Sequence, residues 1–285
     1  MNTALKQLSH LLPDKIYLSI KFRMRMGKWI DWKNPTTFNE KLQWLKLYDR
    51  KPVYVTIVDK YEVKKYVSTF IGSQYIIPTI GVWDQFDEID FDRLPDQFVL
   101  KCTHDSGGLV ICKNKKEFNK TEAKNVLERC LRNNYYWDGR EWAYKNVKPR
   151  IIAEAYLEDE STRELRDYKF FTFDGKVKLM FVATQRQNAA EDTKFDFFDE
   201  KYNHLNIKNG HENATVVPEK PLHFEEMIRL AEVLGKGFPH LRVDFYEVNG
   251  QVFFGELTLS HWSGLVPFVP GEWDTTIGNW LKLPK

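Results

Sequence analysis

A predicted hairpin near the C-terminal end of the sequence carries two carboxylates and an arginine. Two strand-like segments flank an Asn-Gly dipeptide, which favours a tight turn. Alternation of side chains places Arg242 and Asp244 on one face of the first strand. In the second strand, the same alternation places Phe254, Glu256 and Thr258 on one face. The two carboxylates are therefore expected to converge.

Converging carboxylates are costly to bury unless a cation neutralises them. Mg²⁺ prefers oxygen ligands, so Asp244 and Glu256 are candidate metal ligands. The competing interpretation is an ion pair between Arg242 and Glu256 on a solvated face. The residue pattern alone does not choose between a metal site and such a pair.

A second candidate site is a lysine followed by small residues. Lys101 precedes a His-Asp-Ser-Gly-Gly tip, which ends with Ser106, Gly107 and Gly108. Backbone N–H groups of such a loop can bind phosphate oxygens, and the ammonium group adds positive charge. The segment is not a P-loop, because it lacks the GxxxxGK[ST] pattern. The alternative is a hairpin tip that carries glycine for conformational reasons alone.

Two further segments gain meaning only beside a polyphosphate. Lys169 and Arg186 are expected on neighbouring strands, where basic residues are usually surface charges. Residues 150–157 form an apolar strand that ends in an acidic stretch, and its exposed backbone could hydrogen-bond an adenine edge. Neither segment identifies a function by itself.

The composition indicates a folded globular protein. Of the 285 residues, 42% are hydrophobic and 29% are charged, which excludes general disorder. No segment approaches the roughly 18 apolar residues of a membrane-spanning helix, and charges interrupt any signal-peptide core. The three cysteines form no CxxC pair, so we expect a reducing, cytoplasmic compartment. The histidines show no metal-binding spacing, and the absence of a GxSxG elbow argues against a Ser–His hydrolase.

Positive charge is concentrated at the start of the chain. Residues 1–65 contain 14 Lys and Arg against 6 Asp and Glu, whereas the whole chain has a net charge of +2. Within residues 15–28 the cations alternate with apolar side chains. Such a segment could bind an anionic membrane surface, or it could be a helix packed on the body with a solvated face. No nucleic-acid partner is expected.

The elements that would position these residues divide the chain into three predicted regions. Residues 1–72 are expected to be mainly helical, with a capping box formed by Thr37 and Glu40. Residues 73–149 would hold the glycine-rich hairpin and a helix capped at Thr121. Residues 150–285 would hold the remaining strands and one long helix. The predicted segments are strands 75–83, 98–102, 109–112, 150–157, 166–173, 176–183, 195–198, 241–248 and 251–259, and helices 59–70, 121–132 and 224–234.

Taken in order, these motifs resemble the ATP-grasp fold, an α/β architecture in which two mixed-sheet subdomains grip ATP. More closely, the sequence resembles the TupA-like branch of ATP-grasp proteins, which is found in teichuronopeptide, capsule and O-antigen gene clusters. The resemblance covers nearly the full length. It is carried by the segments 34–41 (Asn-Pro-x-x-Phe-Asn-Glu-Lys), 59–60, 101–108, 167–171, 242–246 and 255–258.

The resemblance implies a role for each matched residue. The expected cofactors are ATP and Mg²⁺. Lys101 and Lys169 would hold the ATP phosphates beneath a mobile lid. The lid residues would be Ser106, Gly107 and Gly108, and the adenine would lie against Glu154, Ala155, Tyr156 and Leu157, mostly through their backbone. Charge on the transferring group would be stabilised by the catalytic residues Arg242, Lys169 and Arg186.

The metal ligands implied by the resemblance are Asp244, Glu256 and Thr258. Many ATP-grasp proteins have asparagine as the third ligand, where this sequence has Thr258. A threonine hydroxyl is a poorer ligand for Mg²⁺ than an amide oxygen. Water would therefore complete the coordination of one metal ion, or that ion would be absent.

The resemblance implies an ATP-dependent carboxylate–amine ligase that forms an amide through an acyl phosphate. The expected acid is a uronic acid of a capsular or cell-surface polysaccharide or its precursor, and the expected amine is an amino acid or amino alcohol. The alternatives are a polysaccharide-biosynthesis glycosyltransferase, although no DxD motif is present in a suitable strand, and a non-catalytic nucleotide-binding subunit. If the acceptor is a lipid-linked glycan, residues 15–28 are expected to attract it at the membrane face.

Overall fold

The computed structural model describes residues 10–105, 107–161, 164–186 and 192–284. Within these ranges the α-helices are α1 (Asp14–Met26), α2 (Phe38–Tyr48), α3 (Val53–Val58), α4 (Glu62–Ile71), α5 (Lys120–Leu131), α6 (Tyr136–Gly139), α7 (Phe224–Gly235) and α8 (Glu272–Trp280). The strands are β1 (Thr79–Trp83), β2 (Phe98–Cys102), β3 (Leu109–Cys112), β4 (Ile151–Ala155), β5 (Asp167–Phe173), β6 (Lys176–Thr184), β7 (Lys194–Phe198), β8 (His204–Leu205), β9 (His240–Val248) and β10 (Gln251–Thr258). No helix in these ranges is long and apolar enough to cross a membrane.

The strands form two separate sheets. The smaller sheet has the strand order β1-β4-β2-β3, and the larger has the order β10-β9-β5-β6-β7-β8. The α/β architecture with two sheets is confirmed. Every pairing between these strands is antiparallel, so the expectation of mixed sheets is wrong. Strand β4 lies in the smaller sheet, although the sequence placed it with residues 150–285.

Helices dominate residues 10–72, as predicted. The side chain of Thr37 accepts a hydrogen bond from the Glu40 N–H, and the Glu40 side chain accepts one from the Thr37 N–H, which confirms the capping box. The predicted helix 59–70 begins three residues later, because the Asp59 side chain accepts hydrogen bonds from the N–H groups of Tyr61 and Glu62.

The smaller sheet contains the predicted glycine-rich hairpin. Strands β2 and β3 pair with Lys101 opposite Leu109. Helix α5 packs against both strands. The prediction that Thr121 caps this helix is wrong, because the Asn119 side chain accepts a hydrogen bond from the Glu122 N–H and is the N-cap.

The larger sheet contains two hairpins with tight turns. Asp174 and Gly175 have φ angles of 49° and 73°, and Asn249 and Gly250 have φ angles of 51° and 75°. Two consecutive left-handed residues match the twist of antiparallel strands, which explains why these dipeptides connect the strands. Both predicted hairpins are confirmed.

Both faces of the larger sheet are buried. Phe170 and Phe245 pack on one face against α3, α4 and α7, whereas Phe171 and Phe181 pack on the other face against α2 and α8. The smaller sheet has a separate core, which it shares with α5. Burial on both sides makes the central strands β5 and β9 a rigid support for the polar side chains at their edge.

Candidate active site

The terminal hairpin brings the two predicted acidic residues directly opposite each other. Asp244 on β9 pairs with Glu256 on β10, and a bulge at Gly255 interrupts the register between Phe254 and Glu256. A Cβ atom on Gly255 would lie 3.1 Å from the backbone oxygen of Asp244, so a side chain there would press on the site. The bulge also pairs Phe254 with Phe245 in the core. The prediction that Phe254 and Glu256 share a face is therefore wrong.

Arg242 connects the two carboxylates. Its Nε and Nη2 atoms donate to the two carboxylate oxygens of Asp244, each at 2.7 Å, and Nη2 lies 2.7 Å from Glu256 Oε1. The ion pair between Arg242 and Glu256 that the sequence suggested is present, with Arg242 buried and the Glu256 side chain 46% exposed. Desolvation by the cleft walls raises the pKa of Glu256, but Lys169, Arg242 and Lys60 outweigh it and hold that pKa well below its usual range.

Lys169 lies beside this pair on β5. Its Nζ atom contacts Asp244 and lies 3.3 Å from Asp167 Oδ2. Burial lowers the pKa of Lys169, and the Asp244 carboxylate opposes that shift. Arg186 contacts Asp167 and lines the same cleft. The sequence had suggested that Arg186 lies on a strand. It instead lies two residues beyond the end of β6 at Thr184.

The smaller sheet contributes a second cluster of charges. The buried carboxylate of Glu154 contacts Lys64 and accepts a hydrogen bond from Lys101 Nζ at 2.6 Å. Burial raises the pKa of Glu154, but the two lysines together lower it below its ordinary value. Lys60 contacts the backbone oxygen of Asp105 in the glycine-rich tip. Lys64 was missed from the sequence, although helical spacing from the matched Asp-Lys segment indicates it.

The segment after β4 lines an adjoining cavity of about 340 Å³. Ala155, Tyr156 and Leu157 form part of its wall, together with apolar side chains of the hairpin. The N–H of Ala155 already donates to Pro78 O at 3.1 Å. Glu154 presents its side chain to the lysines, and the predicted contact of these residues with adenine stays a prediction.

The glycine-rich tip closes one side of the cleft. Gly107 is open on its Cβ side, whereas a Cβ atom on Gly108 would lie 2.5 Å from Cys130 Sγ and 2.8 Å from Cys102 Sγ. Gly108 has no positive φ, so close approach rather than backbone conformation explains this glycine. Ser106, the third predicted lid residue, lies outside the described residues.

The donor set at the hairpin fits a Mg²⁺ ion. A single Arg242 nitrogen lies at hydrogen-bonding distance from both Asp244 and Glu256, so the two carboxylates are close enough to share one cation. The Thr258 hydroxyl lies 3.4 Å from Glu256 Oε1, within reach of the same place. In the part of the chain that the structure describes, no group of three or more His, Cys, Asp or Glu could hold a metal. Water or phosphate oxygens would therefore complete the coordination.

His261, which sequence reasoning left without a role, positions the side chain of Arg242. Arg242 Nη1 donates to His261 Nδ1 at 2.8 Å, so the proton of the ring lies on Nε2, which donates to Asn209 Oδ1 at 2.7 Å. Burial, with Arg242 adding to it, lowers the pKa of His261 well below its ordinary value, which keeps the ring neutral. His261 follows β10 by three residues, and only this proximity to the hairpin could have indicated it.

These groups surround one cleft of about 560 Å³ between the two sheets. The smaller sheet and its neighbours contribute three lysines, and the larger sheet contributes Lys169, Arg242 and Glu256. The cleft is also lined by aromatic rings and one further cation, Arg186, which lines the adjoining apolar cavity as well. The aromatic residues are Phe181, Phe195, His211 and Trp262. The cations of this cleft suit a polyanion, and apolar and aromatic side chains line the surface around them.

Two sheets that face each other across such a cleft define an ATP-grasp protein. The family model described as TupA-like ATPgrasp matches residues 40–282, and the chain belongs to this family. No curated protein matches the sequence.

Several solved structures resemble the chain at low identity. A D-alanine–D-alanine ligase from Helicobacter pylori has 14% identity and a TM-score of 0.45, with 87% of this chain and 69% of that chain covered. The Bacillus anthracis enzyme complexed with ATP has 18% identity and a TM-score of 0.41, with 72% and 55% covered. The ATP-grasp ligase PsnB, complexed with its minimal precursor, Mg and ADP, has 9% identity and a TM-score of 0.40, with 78% and 58% covered. The chain thus spans little more than half the length of two of these proteins.

Proposed function

We propose that this protein is an ATP-dependent carboxylate–amine ligase. The observation that carries the proposal is the meeting of Lys101, Lys169 and Arg242 with the carboxylates Asp244 and Glu256 at one cleft. The cations suit a triphosphate, and the carboxylates suit the divalent ion that accompanies it. Family membership supports the same class of reaction.

The chemistry requires an activated acid. A carboxylate oxygen of the acceptor would attack the γ-phosphorus of ATP, the bond to the bridging oxygen would break, and ADP would leave. An amine would then attack the acyl carbon of the acyl phosphate, release phosphate, and lose its proton to solvent. Lys101 and Lys169 would neutralise charge on the transferring phosphoryl group, and Arg242 would do so at the acyl centre. Mg²⁺, held by Asp244 and Glu256, would add positive charge at the phosphates.

The cleft must also protect the acyl phosphate from water. The hairpin that contains Gly107 and Gly108 forms one wall, and Leu109 extends it over the cleft. Leu109 is half exposed, so this wall has apolar surface to bury against a bound nucleotide. Closure of the hairpin would exclude water from the reacting carboxyl group.

We assign the aromatic part of the cleft to the acid. Trp262 is partly exposed and forms a cluster of three rings with Phe195 and His211. Flat aromatic faces pack well against the apolar faces of sugar rings. The guanidinium group of Arg186 can donate two parallel hydrogen bonds to a carboxylate. This combination supports a uronic acid as the acid substrate and an amino acid or amino alcohol as the amine.

We place the reaction in the cytoplasm, where ATP is supplied. Its reducing conditions agree with the three cysteines, Cys102, Cys112 and Cys130, which are all free and buried.

The test is a screen for ADP release from ATP with uronic acids and amines, in which each component is omitted in turn. We expect ADP only when both an acid and an amine are present. Trp262→Ala should raise KM for the acid with little change for ATP, whereas Trp29→Ala, which removes an exposed ring near α1, should change neither. Release of a nucleotide from a sugar donor without ATP would contradict the proposal and indicate a glycosyltransferase.

A further inference from the structure

Helix α1 exposes an apolar stripe on the face opposite its buried side. Leu18 and Phe22 are completely buried beneath the helix. Ile16, Ile20 and Met24 lie at intervals of four residues, which places them on one face, and they are 49%, 43% and 80% exposed. A soluble surface helix normally carries polar side chains there. The α1 stripe, defined by these three residues, therefore needs an explanation other than folding.

Exposed apolar side chains also flank the helix in the sequence. Leu11 and Leu12 precede it, and Trp29 follows it after a left-handed turn at Gly27. All three side chains are exposed, and Trp29 is 63% exposed. Exposed apolar side chains concentrated in one segment favour a binding surface. Tryptophan in particular is favoured at the boundary between water and lipid.

The exposed cations of the helix lie at different places around its axis. Arg23 follows Ile16 by seven residues and therefore lies on the same face. Lys15 and Arg25 are exposed near the two ends of the helix, each about 100° around the axis from its apolar neighbour, Ile16 or Met24. The acidic residue of the helix, Asp14, contacts Arg50 at 3.2 Å on the body of the protein. The exposed charges of the helix are therefore positive.

We propose that the α1 stripe binds the surface of a bilayer that contains anionic lipid. The apolar side chains would enter the boundary of the acyl chains, and the exposed cations of the helix would meet lipid phosphates. A protein partner would need a groove that is both apolar and acidic, whereas an anionic bilayer offers apolar chains and negative charge over its whole surface. The proposal does not depend on the ligase activity, because no residue of the stripe lines the cleft.

Binding of the full-length protein to vesicles tests the proposal. We expect sedimentation with phosphatidylcholine vesicles that contain phosphatidylglycerol, weaker sedimentation with phosphatidylcholine alone, and weaker binding as salt rises. Replacing Ile16, Ile20 and Met24 with glutamine should abolish binding. The matched control replaces exposed apolar residues elsewhere with glutamine and should bind like the parent. The control residues are Val216, Leu222 and Val233.

The charges are tested in the same assay. Each cation near an anionic surface contributes roughly fivefold in affinity, so replacing Lys15, Arg23 and Arg25 with glutamine should weaken binding by about 100-fold. Three exposed arginines elsewhere serve as the control and should have little effect. They are Arg93, Arg132 and Arg229. Thermal unfolding and ADP binding confirm that each variant is folded.

Three results would overturn the proposal. The first is a parent protein that binds anionic and neutral vesicles equally or not at all. The second is a triple glutamine variant of the α1 stripe that binds vesicles as well as the parent. The third is light scattering that shows a dimer of the parent and a monomer of this variant, because the stripe would then be a surface between two copies of the chain.

Discussion

Replacing Glu256 with glutamine separates a metal-binding role from a structural one. The side chain is 46% exposed, and Arg242 keeps its two hydrogen bonds to Asp244 when the charge of Glu256 is removed. The amide oxygen can still accept from Arg242, so the variant loses only the charge-assisted part of one hydrogen bond. We expect a loss of about 1 kcal/mol in the free energy of unfolding.

The expected effect on Mg²⁺ is larger. A unit negative charge about 4 Å from a doubly charged cation is worth roughly 8 kcal/mol at the effective dielectric constant of a protein surface. Because Glu256 is half exposed, solvent screening reduces this value by about half, to roughly 4 kcal/mol. The variant should therefore bind Mg²⁺ about 1000-fold more weakly when nucleotide is present.

Calorimetry with ADP, with and without Mg²⁺, measures this effect without knowledge of the acid or amine. In the parent, Mg²⁺ should tighten ADP binding, and in Glu256→Gln this gain should largely disappear while metal-free ADP binds as well or better. Glu247→Gln is the matched control, because Glu247 lies on the same hairpin but contacts His223 outside the cleft. If Glu256→Gln keeps the Mg²⁺ dependence of the parent, Glu256 is not a metal ligand.

Three further variants test other parts of the site. Lys101→Ala should weaken ADP binding about tenfold in calorimetry, because one charge-assisted contact to phosphate is lost; unchanged affinity would place the phosphates elsewhere. Gly108→Ala should cost about 1–3 kcal/mol in thermal unfolding because its Cβ would meet Cys130, whereas Gly107→Ala should cost nothing measurable; equal effects would show that the hairpin differs from this structure. Burial lowers the pKa of His240 to about 3, so folding keeps this ring neutral, and its contribution is present above the ordinary pKa near 6.5 and is lost as pH falls below it. Between a pH well above 6.5 and pH 5.5, the free energy of unfolding of the parent should therefore fall by about 1.4 kcal/mol more than that of His240→Phe. Denaturant unfolding of both proteins at the two pH values measures this difference.

Local sequence signals predicted much of the fold. The Asn-Gly and Asp-Gly turns identified two hairpins of the larger sheet, because dipeptides that favour two left-handed residues occur mainly in tight turns between antiparallel strands. The capping box at Thr37 identified the start of α2 for a similar reason. Errors arose where the decisive feature is not periodic. The bulge at Gly255 reverses the direction of Phe254, and strict alternation cannot show it.

Local pattern alone grouped residues of the candidate site only where they share one hairpin, whereas Lys101, Lys169 and Arg186 were joined to them by the family resemblance. Arg242, Asp244 and Glu256 were grouped correctly, because neighbouring strands keep a fixed register. Lys64 and His261 were missed, although Lys64 follows the matched Lys60 by four residues and His261 follows β10 by three. That they reach the cleft depends on how the two sheets and the N-terminal helices pack, and no local pattern encodes that packing.

The charged side chains that catalysis would use already form ion pairs with one another in the cleft. Lys101 is bound to Glu154, and Lys169 and Arg242 are bound to Asp244. A nucleotide that took these lysines and this arginine would leave buried carboxylates without partners, which is costly. A divalent cation that binds Asp244 removes that cost and frees Lys169 and Arg242 for phosphate and for the reacting acyl group. Nucleotide and metal should therefore each bind more tightly in the presence of the other, by the same factor.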